Sequence, residues 1–181
     1  ARKIVAAFEG GPPLDFLLAM SGQPEPLEPF LEAAAAERGF EARVRTLPFN
    51  TLAQALHSSP VEGEAEVFLL FPWDLLPEVD WRSGVPEVSR PLGGLLEEAR
   101  TTLGRIRRRG KAAVLYADAP IPPILPDDRE ASALGAHLRA AALEAGAGVI
   151  DGDAVSLENL FRSGSPLASA SLGAVARRVV A

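Results

Sequence analysis

The run Glu66-Val67-Phe68-Leu69-Leu70-Phe71 decides the fold of this chain. It is nearly continuous in apolar residues, which is the pattern of a strand that is covered on both of its faces. Strands of this kind occur mainly in parallel sheets that carry helices on each side. The run therefore indicates a central strand of an α/β protein.

Short strand patterns alternate with longer helical patterns on both sides of this run. Strands separated by helices need parallel crossovers, which are nearly always right-handed. We therefore predict a single domain over residues 1–181, a three-layer α/β/α sandwich with a five-stranded parallel sheet in the order 2-1-3-4-5. The other predicted strands are 15–20, 41–47, 111–117 and 148–150, and the predicted helices are 26–38, 51–57, 92–109, 128–145, one near Leu157 and 169–180. Segments 72–91 and 118–126 are predicted loops, the first with one turn of helix.

Composition and charge exclude several functions. The chain has 181 residues, 48% of them hydrophobic, a net charge of -6 and no cysteine. The negative net charge argues against a broad nucleic-acid surface. Because the chain has no cysteine, disulfides, zinc-thiolate sites and cysteine nucleophiles are impossible. No apolar run approaches the length of a membrane span, and the segment before Glu9 is too short for a signal peptide. We expect a cytoplasmic protein with no metal site and no cofactor.

Polar residues follow the predicted strands, at the edge where ligands bind in open parallel sheets. Ser21 and Gly22 follow the first strand, Asn50 follows the second, and Asp74 follows the third. Ser21 is the candidate nucleophile, since Gly22 would allow close backbone approach and a helix N-terminus favours an oxyanion. The alternative is a turn serine that satisfies local backbone groups. Gly22, Asn50 and Asp74 are the candidate ligand-binding residues.

A catalytic serine needs a base, and the chain has two histidines. His57 ends a short predicted helix, and His137 lies on a predicted helix outside its apolar stripe, so we expect neither to act in catalysis. The arginines at 105 and 107–109 are interpreted as a solvated helix end, with phosphate binding as the alternative. Asp151 and Asp153 are interpreted as a loop acid and a helix cap, and Trp73 and Trp81 as anchors that cover the sheet edge.

Several stretches resemble the SGNH-hydrolase fold, which has flavodoxin-like topology, and more narrowly the N-terminal domain of FkbH-like proteins of the haloacid-dehalogenase superfamily. The resemblance covers roughly residues 15–180. The stretches that carry it are LLAMSGQPEPLEPFL (17–31), LPFNTLAQAL (47–56), EVFLLFPWDL (66–75), VIDGDA (149–154) and SPL (165–167).

The resemblance implies a catalytic pattern that this chain lacks in part. Active SGNH enzymes place a serine after strand one, a glycine after strand two, an asparagine after strand three and an Asp-x-x-His near the end. Ser21 matches the serine, but Asn50 stands near the glycine position and the stretch FPWD (71–74) has no asparagine. No histidine follows Asp151. Loss of a triad member costs about 10⁴-fold in rate.

FkbH-like proteins carry a phosphatase-type domain after this one and are associated with loading a glyceryl unit onto an acyl carrier protein in polyketide biosynthesis. The resemblance implies that this chain is the N-terminal part of such a protein, or a free-standing relative. Our first hypothesis is a non-catalytic domain that binds or positions an acyl carrier protein, a ligand or the downstream phosphatase-like domain. The alternative is a serine esterase or acyltransferase that uses Ser21.

Overall fold

The predicted α/β architecture is confirmed. The computed structural model describes residues 1–48, 51–60, 65–76, 91–119, 121 and 128–181. Within this part of the chain, five parallel strands form one sheet in the order β2-β1-β3-β4-β5, as the crossover argument predicts. The strands are β1 (Pro13–Met20), β2 (Glu41–Thr46), β3 (Ala65–Leu70), β4 (Ala112–Ala117) and β5 (Gly148–Ile150).

The helices match the predicted segments with bounds that move by a few residues at most. One helix had no prediction: α1 buries none of its residues, so it has no apolar stripe that a sequence pattern could detect. The helices are α1 (Arg2–Ala7), α2 (Glu28–Glu37), α3 (Leu52–His57), α4 (Pro72–Leu75), α5 (Leu92–Arg107), α6 (Asp128–Glu144), α7 (Leu157–Ser163) and α8 (Leu172–Val179), with 3₁₀ turns at Gly152–Ala154 and Ser169–Ser171.

The sheet separates two apolar cores. Helices α2 and α8 pack on one face, where Leu31 and Val175 meet Leu18 and Leu69 of the central strands. Helices α3, α5 and α6 cover the other face, where the side chain of Phe68 is fully buried. The alternation of side chains along a strand explains this division, because Phe68 and Leu69 point to opposite faces.

The carboxyl ends of β1 and β3 form the topological switch point of the sheet. The chain leaves β1 through α2 on one face and leaves β3 through α5 on the other. Ligands bind at such a crevice in open α/β sheets. Ser21 directly follows β1, and α4 directly follows β3, so the fold places the candidate serine and Trp73 at this position.

Tyr116 on β4 carries a polar group into the core. Its side chain is fully buried, and its hydroxyl has no hydrogen-bond partner among the residues that the structure describes. Burial, and secondarily the nearby Asp118 carboxylate, raise the pKa of this phenol far above its ordinary value, so it stays protonated.

Tyr116→Phe is therefore expected to raise the free energy of unfolding by about 1 kcal/mol, because the ring packing is kept and an unpaired buried hydroxyl is removed. Urea unfolding of both proteins, followed by circular dichroism, measures the difference. A loss of stability greater than about 1 kcal/mol would show that the hydroxyl has a partner in solution.

No helix in the described part of the chain is both long enough and apolar enough to cross a membrane.

Candidate functional site

Ser21 is the polar residue at the centre of the switch point. It ends the apolar run of β1, and only 8% of its surface is exposed. Its hydroxyl oxygen accepts a hydrogen bond from the indole Nε1–H of Trp73 at 3.1 Å. This bond occupies a lone pair on the atom that would attack a substrate, and the indole can only donate, so it cannot take the serine proton.

Trp73 is fixed over Ser21 by the turn that follows β3. The single helical turn α4 begins with Pro72, and the Phe71 N–H donates to Asp74 Oδ2 at 2.8 Å. The rings of Phe71 and Trp73 lie nearly parallel, with 5.1 Å between their centroids. Both rings are buried, so Trp73 is an anchor of the sheet edge, as its sequence context predicts.

The turn after Ser21 is covered by the protein's own chain. The Gln23 N–H donates to the Gly164 carbonyl at 2.9 Å, and a Cβ atom at Gly22 would collide with the Pro166 ring. The Pro166 carbonyl in turn accepts from the Ser156 N–H at 2.8 Å. The close backbone approach expected at Gly22 is therefore present, and residues 164–166 occupy it.

We expect Gly22→Ala to lower the free energy of unfolding by about 1–3 kcal/mol, because the added methyl group forces Pro166 or the turn to move. Gly94→Ala is the matched control. A Cβ at Gly94 meets nothing within 4 Å, and alanine favours the helix over glycine by about 1 kcal/mol. Thermal denaturation compares the two variants, and a Gly22→Ala protein as stable as the wild type would show that residues 164–166 are not packed on this turn.

Neither histidine reaches the candidate nucleophile. His57 ends α3, and its Nδ1 lies 3.0 Å from Arg105 Nη1 on α5. A guanidinium only donates, so this ring nitrogen is the acceptor. His137 is exposed on α6. Among the described residues, no imidazole forms a hydrogen bond with the Ser21 hydroxyl.

The other candidate ligand-binding residues separate. Asn50 lies outside the residues that the structure describes, as does Trp81. Asp74 is partly buried at the start of α4, where it accepts the Phe71 N–H and also lines a cleft beside α3 and α5.

The interpretation of the arginine run as a solvated helix end is wrong for Arg109. Arg109 is buried, and it forms a two-pronged ion pair with the buried Glu66, with Nε–Oε2 at 2.7 Å and Nη2–Oε1 at 2.9 Å. It also donates to the carbonyls of Ala55 and Ser58, and its guanidinium lies 5.3 Å from the Phe68 ring centre. Glu66 is the second residue of β3, so this pair lies at the amino edge of the sheet and has a structural role. Arg105, Arg107 and Arg108 are exposed, as a solvated helix end predicts.

Two acids at the ends of β4 and β5 share an arginine. Arg139 of α6 lies 3.8 Å from Asp118 and 3.7 Å from Asp151.

The interpretation of Asp153 as a helix cap is wrong. Asp153 lies within the 3₁₀ turn, and Asp151 precedes that turn without a side-chain cap. No group of three or more potential metal ligands occurs in the part of the chain that the structure covers.

These features define a parallel α/β sandwich whose switch-point serine is closed over by an indole and a loop. No protein-family model matches the chain, and no curated protein matches it. Among solved structures, it is similar to the N-terminal part of the protein BF1531 from Bacteroides fragilis, whose crystal structure contains a phosphatase domain complexed with Mg. The TM-score is 0.73 at 10% identity, over 99% of this chain and 55% of that chain. This likeness establishes a shared fold, and the chain spans little more than half the length of its neighbour.

Proposed function

We propose that this chain is a non-catalytic SGNH-like domain, related to the N-terminal domain of FkbH-like proteins. In this role it binds or positions an acyl carrier protein, a ligand or a downstream phosphatase-like domain during glyceryl or acyl transfer to the carrier protein. The closed environment of Ser21 is the observation that carries the non-catalytic part of the proposal.

Three features of that environment oppose nucleophilic catalysis. Ser21 is buried, with 8% of its surface exposed, which opposes the approach of a substrate carbonyl to the roughly 3–3.5 Å needed for attack. Its described partner is an indole donor, which cannot accept a proton. Pro166 and Gly164 also cover the turn where an oxyanion would be held.

The structural neighbour supports a role alongside a second domain. Nearly the whole of this chain matches part of a protein whose crystal structure contains a phosphatase domain. A scaffold retained without a working nucleophile is consistent with a domain that positions a partner. The carrier protein and the phosphatase-like domain are the partners that the sequence resemblance implies.

Calorimetric titration with an acyl carrier protein and with a phosphorylated glycerate tests the proposal, using the chain alone and the chain fused to a phosphatase-like domain. We expect saturable binding of at least one of them, retained in Ser21→Ala because the hydroxyl takes no part. An absence of binding in both forms would contradict the proposal.

The esterase alternative has a separate test in short p-nitrophenyl esters. We expect no turnover above the background of Ser21→Ala. Turnover that depends on Ser21 would establish the alternative in place of the non-catalytic role.

A further inference from the structure

The two edges of the sheet are protected to different degrees. β5 is an edge strand of three residues, and its Val149 carbonyl accepts a hydrogen bond from Arg178 Nη2 at 3.1 Å. β2 forms the other edge with six residues. It contains no proline, and its pairing with β1 runs without a break. β2 therefore lacks the short length, the proline and the bulge that commonly keep an edge strand from pairing with another chain.

The backbone groups of Ala42, Val44 and Thr46 form the outer row of β2. The Glu41 N–H donates to the Pro12 carbonyl at 3.0 Å, on the side of β1. Because successive residues of a strand turn their backbone groups to opposite sides, the even-numbered residues turn theirs away from β1. Within the described chain, no group outside β2 forms a hydrogen bond with the N–H or carbonyl of these three residues. The outer row is therefore available to a further strand.

Charged side chains alternate along β2 on the face of the sheet opposite α2. Val44 packs against the core beneath α2, so its neighbours Arg43 and Arg45 point to the other face, as does Glu41. Arg43 Nη2 lies 3.8 Å from Glu41 Oε2, and both side chains are more than half exposed. Such an exposed pair contributes little by itself. Arg45 already interacts within its own chain, so Glu41 and Arg43 are the charges that an added strand would meet.

This charge pattern is complementary to itself in one antiparallel register. The outer rows of two copies can pair about a two-fold axis at Ala42, Arg43 or Val44. An axis at Arg43 places that residue opposite its own copy, and an axis at Val44 places Arg43 opposite Arg45. Like charges directly opposite each other are destabilising. An axis at Ala42 instead places Glu41 of each copy opposite Arg43 of the other, and no like charges are opposed.

We propose that the chain forms a homodimer by antiparallel pairing of two β2 strands about Ala42. The two Ala42 residues exchange both backbone hydrogen bonds, and the Val44 N–H of each copy donates to the Phe40 carbonyl of the other. Phe40, which is 36% exposed, thereby comes opposite Val44, and aromatic and β-branched residues form favourable cross-strand pairs. The two sheets become continuous, and the two Ser21 sites face opposite directions. This interface goes beyond the proposed function and does not depend on it.

Sedimentation equilibrium of the whole chain tests the dimer. We expect a monomer–dimer equilibrium at low ionic strength, with a Kd of about 100 µM or lower. A monomer at every concentration up to about 500 µM would overturn the proposal. A series of larger species in place of a dimer would also overturn it, because a two-fold interface closes after two copies.

Proline variants locate the interface. Val44→Pro removes an N–H that has no bond to β1, so we expect the fold to be kept and the Kd of the dimer to rise at least about tenfold. Val149→Pro is the matched control on the other edge. Since the Ile150 carbonyl accepts from the Asp118 N–H of the neighbouring strand, Val149 also turns its N–H outward, and its replacement should leave the Kd unchanged. An unchanged Kd in Val44→Pro, or an equal rise in both variants, would contradict the interface. Circular dichroism confirms that each variant is folded.

Charge reversal tests the register without placing proline in the strand. Glu41→Arg and Arg43→Glu each oppose like charges in a homodimer, so each variant alone should dimerise at least about tenfold more weakly than the wild type. Mixed in equal amounts, the two variants oppose unlike charges and should form a heterodimer with a Kd close to that of the wild type. Dimerisation of either variant at the wild-type Kd, or failure of the mixture to dimerise, would overturn the proposal.

Discussion

Replacing Arg109 with methionine is expected to lower the free energy of unfolding by about 3–5 kcal/mol. The substitution removes one partner of a buried ion pair and leaves Glu66, whose side chain is 3% exposed, without its counter-charge. The cost of a buried unpaired carboxylate greatly exceeds the net value of the pair itself. The carbonyls of Ala55 and Ser58 lose a donor as well, so the C-terminal end of α3 loosens.

Urea denaturation at neutral pH, monitored by circular dichroism, measures this loss. Arg108→Met is the matched control, since Arg108 is exposed on the same turn, and its stability should stay within about 0.5 kcal/mol of the wild type. Adding Glu66→Met to Arg109→Met should recover part of the stability, because no buried charge then remains. A destabilisation below about 1 kcal/mol in Arg109→Met would mean that water reaches Glu66.

Trp73→Ala is the second substitution with a large expected effect. It removes a large buried aromatic side chain and its stacking on Phe71, for which a loss of about 3–5 kcal/mol is typical. It also removes the indole donor to Ser21. Trp73→Phe separates these contributions. It keeps most of the ring packing, so the free energy of unfolding should fall by less than in Trp73→Ala. It still removes the hydrogen bond, which contributes about 1 kcal/mol.

Thermal denaturation of the wild type, Trp73→Ala, Trp73→Phe and Ser21→Ala measures the packing and hydrogen-bond contributions. The double variant of Ser21→Ala with Trp73→Phe completes a thermodynamic cycle and should give a coupling energy of about 1 kcal/mol. Full additivity of the two single variants would indicate that the indole and the hydroxyl do not interact in solution.

The sheet could be predicted from the sequence because strand and helix patterns alternate along the chain. Each apolar run lies between turn-forming residues, and the crossover rule then fixes parallel pairing. The position of Trp73 in the Pro-rich segment after the central strand predicts an anchor of the sheet edge. These features depend on neighbours in the sequence, so periodicity is sufficient to detect them.

The Ser21–Trp73 contact at the site, and the buried ion pair at the opposite edge of the sheet, join residues far apart in the sequence. Ser21 and Trp73 are 52 residues apart, and Glu66 and Arg109 are 43 apart. No local pattern encodes such pairs. One signal is nevertheless available: Glu66 lies near the start of an otherwise apolar strand that both helical layers cover, and a carboxylate at such a position needs a buried partner. The covering of Gly22 by Pro166 left no signal in composition or spacing.

In the described part of the chain, the Ser21 hydroxyl lies against the Trp73 indole, residues 164–166 cover the turn that follows it, and neither histidine bonds to it. The most direct measurement is labelling of the folded chain with a fluorophosphonate, which reacts with activated serines, followed by peptide mass spectrometry. A known serine esterase treated in parallel serves as the positive control. The structure predicts no adduct on Ser21, and a stoichiometric adduct there that is absent in Ser21→Ala would contradict it.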